Sequence, residues 1–132
     1  MTMNSSDVSA GDDGKASDFV ALRKDVLTGN KNLVTATDGA TVTFDLDSSC
    51  VQKVTLAGNR TFAVSNMTAG QVLIIRIIQD ATGSRTVTWF STIKWADGVA
   101  PTLTTTATKT DVIGILCTGA GTYDGAVIVQ NI

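Results

Sequence analysis

A chain of 132 residues is the length of one domain, able to bury roughly two thirds of the surface its unfolded form exposes. Its composition, 43% hydrophobic and 17% charged, is rich in Thr, Val, Ile and Gly and holds one proline, Pro101, which favours half-buried strands over helices. A net charge of -2 leaves no basic surplus to neutralise phosphates, which argues against nucleic acid as a partner. All 12 acidic residues are Asp, a turn and cap former, and Glu is absent, so long surface helices are not expected.

Met1 to Gly14 has no apolar h-region, and the longest apolar stretch, Val72 to Ile78, is interrupted by Arg76. Neither a secretory signal nor a membrane span is predicted, and no membrane partner. Sequons at Asn59-Arg60-Thr61 and Asn66-Met67-Thr68 then read as turn chemistry. Cys50 and Cys117 have no CxxC spacing and no His to complete a metal site, which excludes zinc. In a reducing compartment two buried thiols are expected in place of a disulfide.

In chain order, Met1 to Ala16 is small, polar and Gly/Asp-rich, with too little apolar surface to offset the entropy of ordering it, and is predicted to be a flexible arm. Ser17 as N-cap, Asp18 in the first turn, Phe19, Leu22 and Val26 at helical spacing and Gly29 as a stop predict a short amphipathic helix over 18–27. So short a helix must dock its stripe, either on its own β domain or on a partner or sister subunit. The expected division is an arm with this helix over 1–32 and a β domain over 33–132.

Beyond Leu33 the period becomes two. Val42, Phe44 and Leu46 share one face of Thr41 to Leu46, and Val54 and Leu56 point inward in Val51 to Ala57. Gly58-Asn59 reads as a two-residue hairpin turn into Arg60 to Val64, whose Phe62 and Val64 share a face. Gln71 to Gln79 is apolar on both faces and is expected to be central or covered by a neighbouring subunit. A turn at Asp80 to Ser84, strands at Arg85 to Phe90 and Ile93 to Trp95, and a loop or edge strand at Thr102 to Thr110 follow. Asp111 to Thr118 and Ala126 to Asn131 are the last two strands, joined across Gly119 to Gly125. About eight short strands at this spacing suggest an all-β, jelly-roll-like sandwich.

The chain offers little for catalysis: it has no His, no phosphate-cradling GxxxxGK[ST] or GxGxxG, and no evident acid/base pair, so a non-enzyme without cofactors is expected. Asp45 and Asp47 share a strand face that offers two carboxylates to a cation, but the plainer reading is a solvated turn. Trp89, Phe90 and Trp95 either pack in the core or a subunit contact, or stack on a ligand; Trp89 and Trp95 are the candidates for stacking. Arg76 shares a face with Val72, Ile74 and Ile78 while Leu73, Ile75 and Ile77 supply a core stripe. It either pairs with an Asp or lies on an exposed face or subunit boundary, which makes Arg76, Ile74 and Ile78 candidate interface residues.

Several motifs stand out together: Thr55-Leu56-Ala57-Gly58-Asn59-Arg60-Thr61-Phe62, Ala69-Gly70-Gln71, Gln79-Asp80-Ala81-Thr82-Gly83-Ser84-Arg85-Thr86-Val87-Thr88-Trp89, and Lys94-Trp95 through Ala100-Pro101-Thr102-Leu103-Thr104-Thr105-Thr106. In this order they resemble β-rich virion proteins of tailed bacteriophages, both tail-fibre modules and capsid decoration proteins. The segment 16–27 is similar to a helical adaptor found ahead of such modules. The resemblance implies a homotrimer without catalytic residues. Because tail fibres are usually longer, the expectation is a capsid decoration, or cement, protein, made in the host cytoplasm and bound on the outer surface of the head. Its partner would be the major capsid protein, held through Phe19, Leu22 and Val26. The alternative is a tail-fibre or receptor-binding module recognising host surface glycans through Trp89 or Trp95.

Overall fold

The computed structural model describes residues 32–132; the helix expected over 18–27, with Phe19, Leu22 and Val26, lies outside the described residues. The regular elements of the described part are strands: β1 (Leu33–Thr35), β2 (Thr41–Asp45), β3 (Val51–Leu56), β4 (Arg60–Ser65), β5 (Val72–Gln79), β6 (Val87–Thr88), β7 (Ile93–Lys94), β8 (Thr110–Gly119) and β9 (Thr122–Val129). A single 3-10 turn at Ala96–Gly98 is the exception. The all-β expectation therefore holds.

The strands form two sheets, one in the order β1-β3-β5-β8-β9-β7 and one in the order β2-β4-β6. From β1 to β7 odd and even strands thus alternate between layers, and over the first six strands those of one layer pair in parallel: β1 with β3 with β5, and β2 with β4 with β6. The chain winds as three stacked coils, each contributing one strand to each sheet. Antiparallel pairing begins only at β8, which lies against β5, and β9 folds back on β8. A jelly roll pairs its strands antiparallel throughout, so that part of the expectation is corrected.

The correction starts at Gly58-Asn59. Two strands joined by two residues commonly make a hairpin, but here β3 and β4 belong to different sheets and the dipeptide is a corner. Arg60 fixes that corner. Its guanidinium makes two bonds to Asp38 of the preceding coil, at 2.7 and 2.8 Å, and its backbone N–H donates to Thr86 O of the following one at 2.9 Å. Asn59 Oδ1 in turn accepts from Thr86 N–H at 3.0 Å. The corner is therefore bonded along the stack and not across a hairpin. At the other end of the chain the expected seven-residue turn is shorter, because Gly119 pairs with Thr122 and leaves Ala120-Gly121 as the β-turn tip of a true hairpin.

Alternation places the core as the sequence predicts. Val42, Phe44 and Leu46 from β2 and its end, Val54 and Leu56 from β3, Phe62 from β4 and Leu73, Ile75 and Ile77 from β5 are all buried, and Ile113, Ile115 and Cys117 of β8 complete one cluster fed by both sheets. Phe44 and Phe62 meet edge to face with ring centres 4.9 Å apart, an arrangement worth about 0.5–1.5 kcal/mol beyond area burial. Cys117 is buried and Cys50 half-buried, and both are thiols.

Two buried glutamines, Gln52 and Gln79, are polar residues at inward positions, and each satisfies loop backbone. The Gln52 amide donates to Asp45 O and Ser49 O, both at 2.8 Å, tying down the loop between the first two coils. Ser49, itself buried, donates from its hydroxyl to Asn32 O and accepts from Val51 N–H. Such bonds are required, since a buried carbonyl without a donor costs about 1–3 kcal/mol.

Candidate functional site

Past β5 the regular winding gives way to loops, and the aromatic residues gather there. Phe62 packs edge to face on Trp89 at 5.3 Å and Trp89 on Trp95 at 5.1 Å, so a ladder of rings runs from the core strand β4 to the half-buried Trp95. Trp95 in turn lies on Gly125: a Cβ at that position would sit 2.4 Å from its ring. Phe90 makes a separate edge-to-face pair with Tyr123 at 5.0 Å. The two tryptophans singled out for stacking are thus together, and both pack against the core while keeping some surface.

A cavity of about 210 Å³ opens between two chain segments. One wall is Arg85, Thr86 and Val87, entering β6; the other is Pro101, Thr102, Leu103 and Thr105. Thr102 to Thr105, which the sequence left between loop and edge strand, is a loop outside both sheets. Sequence reasoning did not single out the cavity: its walls are 15 or so residues apart, and although both lie in the turn motifs quoted above, neither carries a residue pattern that marks a binding site.

Buried polar side chains hold the two walls together. Gln79, at the end of β5, accepts from Arg85 N–H at 2.9 Å and donates its amide to Arg85 O at 2.9 Å and Thr104 O at 3.0 Å. Asp111, 2% exposed, accepts from Thr104 N–H at 2.6 Å, Asn131 N–H at 2.9 Å and the Gln130 amide at 3.1 Å, and Gln130 also donates to Thr102 O. Burial pushes the Asp111 carboxyl up, but the bonds from Thr104, Asn131 and Gln130 outweigh it and hold it below the usual carboxylate range. At Gly83, with φ +72°, an added Cβ would lie 2.6 Å from Thr105 O, so the turn before Arg85 touches the opposite segment backbone to backbone.

The electrostatics are balanced. Arg85 makes two bonds to Asp80, at 3.2 and 2.8 Å, and these hold the Asp80 carboxyl down at about 2. Arg60 does the same for Asp38, whose carboxyl is also lowered, chiefly by that guanidinium. Asp45 spends its Oδ1 on the Asn66 amide at 2.8 Å and Asp47 N–H at 3.0 Å, which lowers its carboxyl; it is a turn-forming residue here. Among the described residues no group of three or more His, Cys, Asp or Glu is placed to hold a metal ion.

The outer face of the larger sheet is the second surface of interest. Val72, Ile74, Arg76 and Ile78 lie there, in register with Leu116, Gly114, Val112 and Thr110 of β8 and, for Ile74 and Arg76, with Val51 and Lys53 of β3. Leu33, Val72, Leu116, Ile128 and Val129 are exposed, so apolar side chains occupy much of it. Arg76 is exposed and has no ion-pair partner among the described residues, and its neighbour across the ladder is the cation Lys53. Among the described residues, then, no Asp pairs with Arg76, and its side chain stands on the exposed face of the sheet.

The described unit is a two-layer coil of parallel strands followed by an antiparallel hairpin. The family model described as "Putative phage tail fibre C-terminal domain" matches residues 34–122, more than half of the chain, and the chain belongs to that family. It is accordingly a phage virion structural protein of the tail-fibre kind. No curated protein and no solved structure matches it. No described helix is long and apolar enough to cross a membrane.

Proposed function

We propose that this chain is a receptor-binding module of a phage tail fibre that recognises glycans on the host surface, by binding and without catalysis. The observation that carries this reading is the family match, which spans the parallel coils and β8 and concerns a tail-fibre C-terminal domain. It favours the fibre over the capsid surface: nothing observed supports binding to the major capsid protein, and Phe19, Leu22 and Val26, assigned to that contact, lie outside the described residues.

A self-associated form, with the homotrimer as the expected state, fits the same reading. Its support is the apolar outer face around Ile74 and Ile78, which a sister subunit would cover, with Arg76 and Lys53 left to meet a carboxylate. The host surface and sister copies are the partners in this reading, and neither nucleic acid nor a membrane has a role.

The test is competition. Purified chain added to susceptible cells should slow virion adsorption in a dose-dependent way, and mild periodate oxidation of the cells should remove its binding. Undiminished adsorption at saturating chain, with the chain binding undecorated heads instead, would replace the fibre reading with the capsid one.

A further inference from the structure

We propose that the cavity between Arg85–Val87 and Pro101–Thr105, and not the exposed surface of Trp89 or Trp95, is the binding subsite for one neutral sugar unit. This rests on the glycan-binding reading above and gives it a location and a ligand class.

Size is the first argument. At about 210 Å³ the cavity is below the roughly 300–1,000 Å³ that drug-sized ligands occupy, and so suits one small ring and not an extended chain. Its lining is the second. Thr86, Thr102 and Thr105 line it, and a hydroxyl both donates and accepts, while Val87, Pro101 and Leu103 present apolar surface. A pyranose has the matching character, with C–H groups on its faces and hydroxyls around its rim.

Charge separates a neutral sugar from an acidic one. Arg85 is the cation at the cavity, and its guanidinium is already engaged by both oxygens of Asp80, as Arg60 is by Asp38. An incoming carboxylate or phosphate would meet the Arg85–Asp80 pair, one cation and one anion with no net attraction, and would have to displace an existing carboxylate. A hydroxyl needs no such exchange.

The walls are also preorganised. Gln79 binds the Arg85 backbone in both directions and reaches Thr104 O, Asp111 fixes Thr104 N–H, Gln130 fixes Thr102 O, and Ser84 N–H donates to Thr105 O at 2.7 Å. A ligand entering there does not have to order the loop, which removes one of the main costs of binding. Trp89 and Trp95, by contrast, already use ring edges and faces on Phe62, on each other and on Gly125.

The experiment is an NMR titration of the full chain, labelled with nitrogen-15. The neutral probes are the methyl α-glycosides of glucose, galactose and mannose and N-acetylglucosamine; the acidic probes are glucuronic acid and N-acetylneuraminic acid. At least one neutral probe should shift the amides of 85–87 and 102–105 with saturation in the millimolar range, and the acidic probes should bind more weakly. Thr86→Val and Thr105→Val nearly preserve shape while removing a hydroxyl, and each should weaken that binding about tenfold with the melting temperature retained. Failure of every neutral probe to move these amides, or a preference for the acids, would overturn the proposal. Loss of binding in Trp95→Ala but not in the threonine variants would place the sugar on the tryptophan, overturning the cavity while leaving glycan recognition standing. Sugar binding in the cavity alongside adsorption that no sugar or purified chain competes would sink the receptor reading and leave the cavity.

Discussion

Asp111 carries an unusual load for one side chain. It is buried at the start of β8, and three donors on two separate segments, Thr104 on one side and Gln130 and Asn131 on the other, converge on its carboxylate. Replacing it with Ala leaves two backbone N–H groups without that acceptor, so Asp111→Ala should cost about 1–3 kcal/mol and lower the thermal midpoint accordingly. The same group sets part of the acid response. Asp111, Asp80 and Asp38 all titrate below their ordinary value of 3.8 in the fold, so their contribution to stability is complete above that value and is lost as pH falls through the folded values, which for Asp80 is about 2. Melting temperature should therefore be flat from about pH 7 to about pH 5, fall below about pH 4 and continue falling toward pH 2. A midpoint that rises on acidification would contradict the ion pairs. Gly125 is the other position where one atom decides: Gly125→Ala puts a methyl 2.4 Å from Trp95, so the ring must move, with an overpacking cost of about 1–3 kcal/mol and a red-shifted tryptophan emission.

Among the elements, the turn between β5 and β6 joins the coil to the cavity. Asp80 Oδ1 accepts from Thr82 N–H at 3.1 Å and Gly83 N–H at 2.9 Å, which folds the turn, and Gly83 takes the left-handed φ that lets it touch Thr105 and Ala107. Gly83→Ala meets both obstacles, a strained backbone and a Cβ against main chain, and neither can be relieved by a flexible side chain. It should destabilise the protein by about 1–3 kcal/mol and raise amide exchange over 83–86 and 104–107 ahead of the sheets. Exchange that stays uniform along the chain would mean that the two segments do not depend on this contact.

At the scale of the whole molecule, the core cluster of the described residues joins both sheets of 32–132, and a chain lacking 1–31 should melt as one cooperative unit close to the full-length midpoint. The outer face of the larger sheet is a separate matter from that core. Val72 and Leu116 are 46% and 39% exposed and face each other in register, so changing both to Lys should leave the fold intact. If a sister subunit covers that face, the double variant should sediment as a monomer at concentrations where the parent self-associates. Equal sedimentation of the two would move the subunit contact elsewhere.

What the sequence determined by itself was local: which residues are strand and which side of each strand is buried. Val42, Phe44, Val54, Phe62, Leu73, Ile75 and Ile113 sit inward because side chains alternate along an extended chain whatever that chain pairs with. The pairing partner carries no such signature. Gly58-Asn59 permits a hairpin or a corner equally, and bonds to residues 20 or so positions away, Arg60 to Asp38 and Arg60 to Thr86, decide for the corner. The same holds for the two-residue tip at Ala120-Gly121, where a glycine-rich stretch hides how far the strands extend. Trp89 and Trp95 were legible as candidates because large aromatics stand out in a chain with few of them. The cavity was not, because its two walls are brought together by tertiary bonds, above all those of Gln79, with Asp111 fixing the Thr104 side, and these are buried polar groups that a pattern of alternation reads as exceptions. Tertiary structure alone made them the clasp between two loops, since only burial turns a glutamine and an aspartate into groups that must find partners.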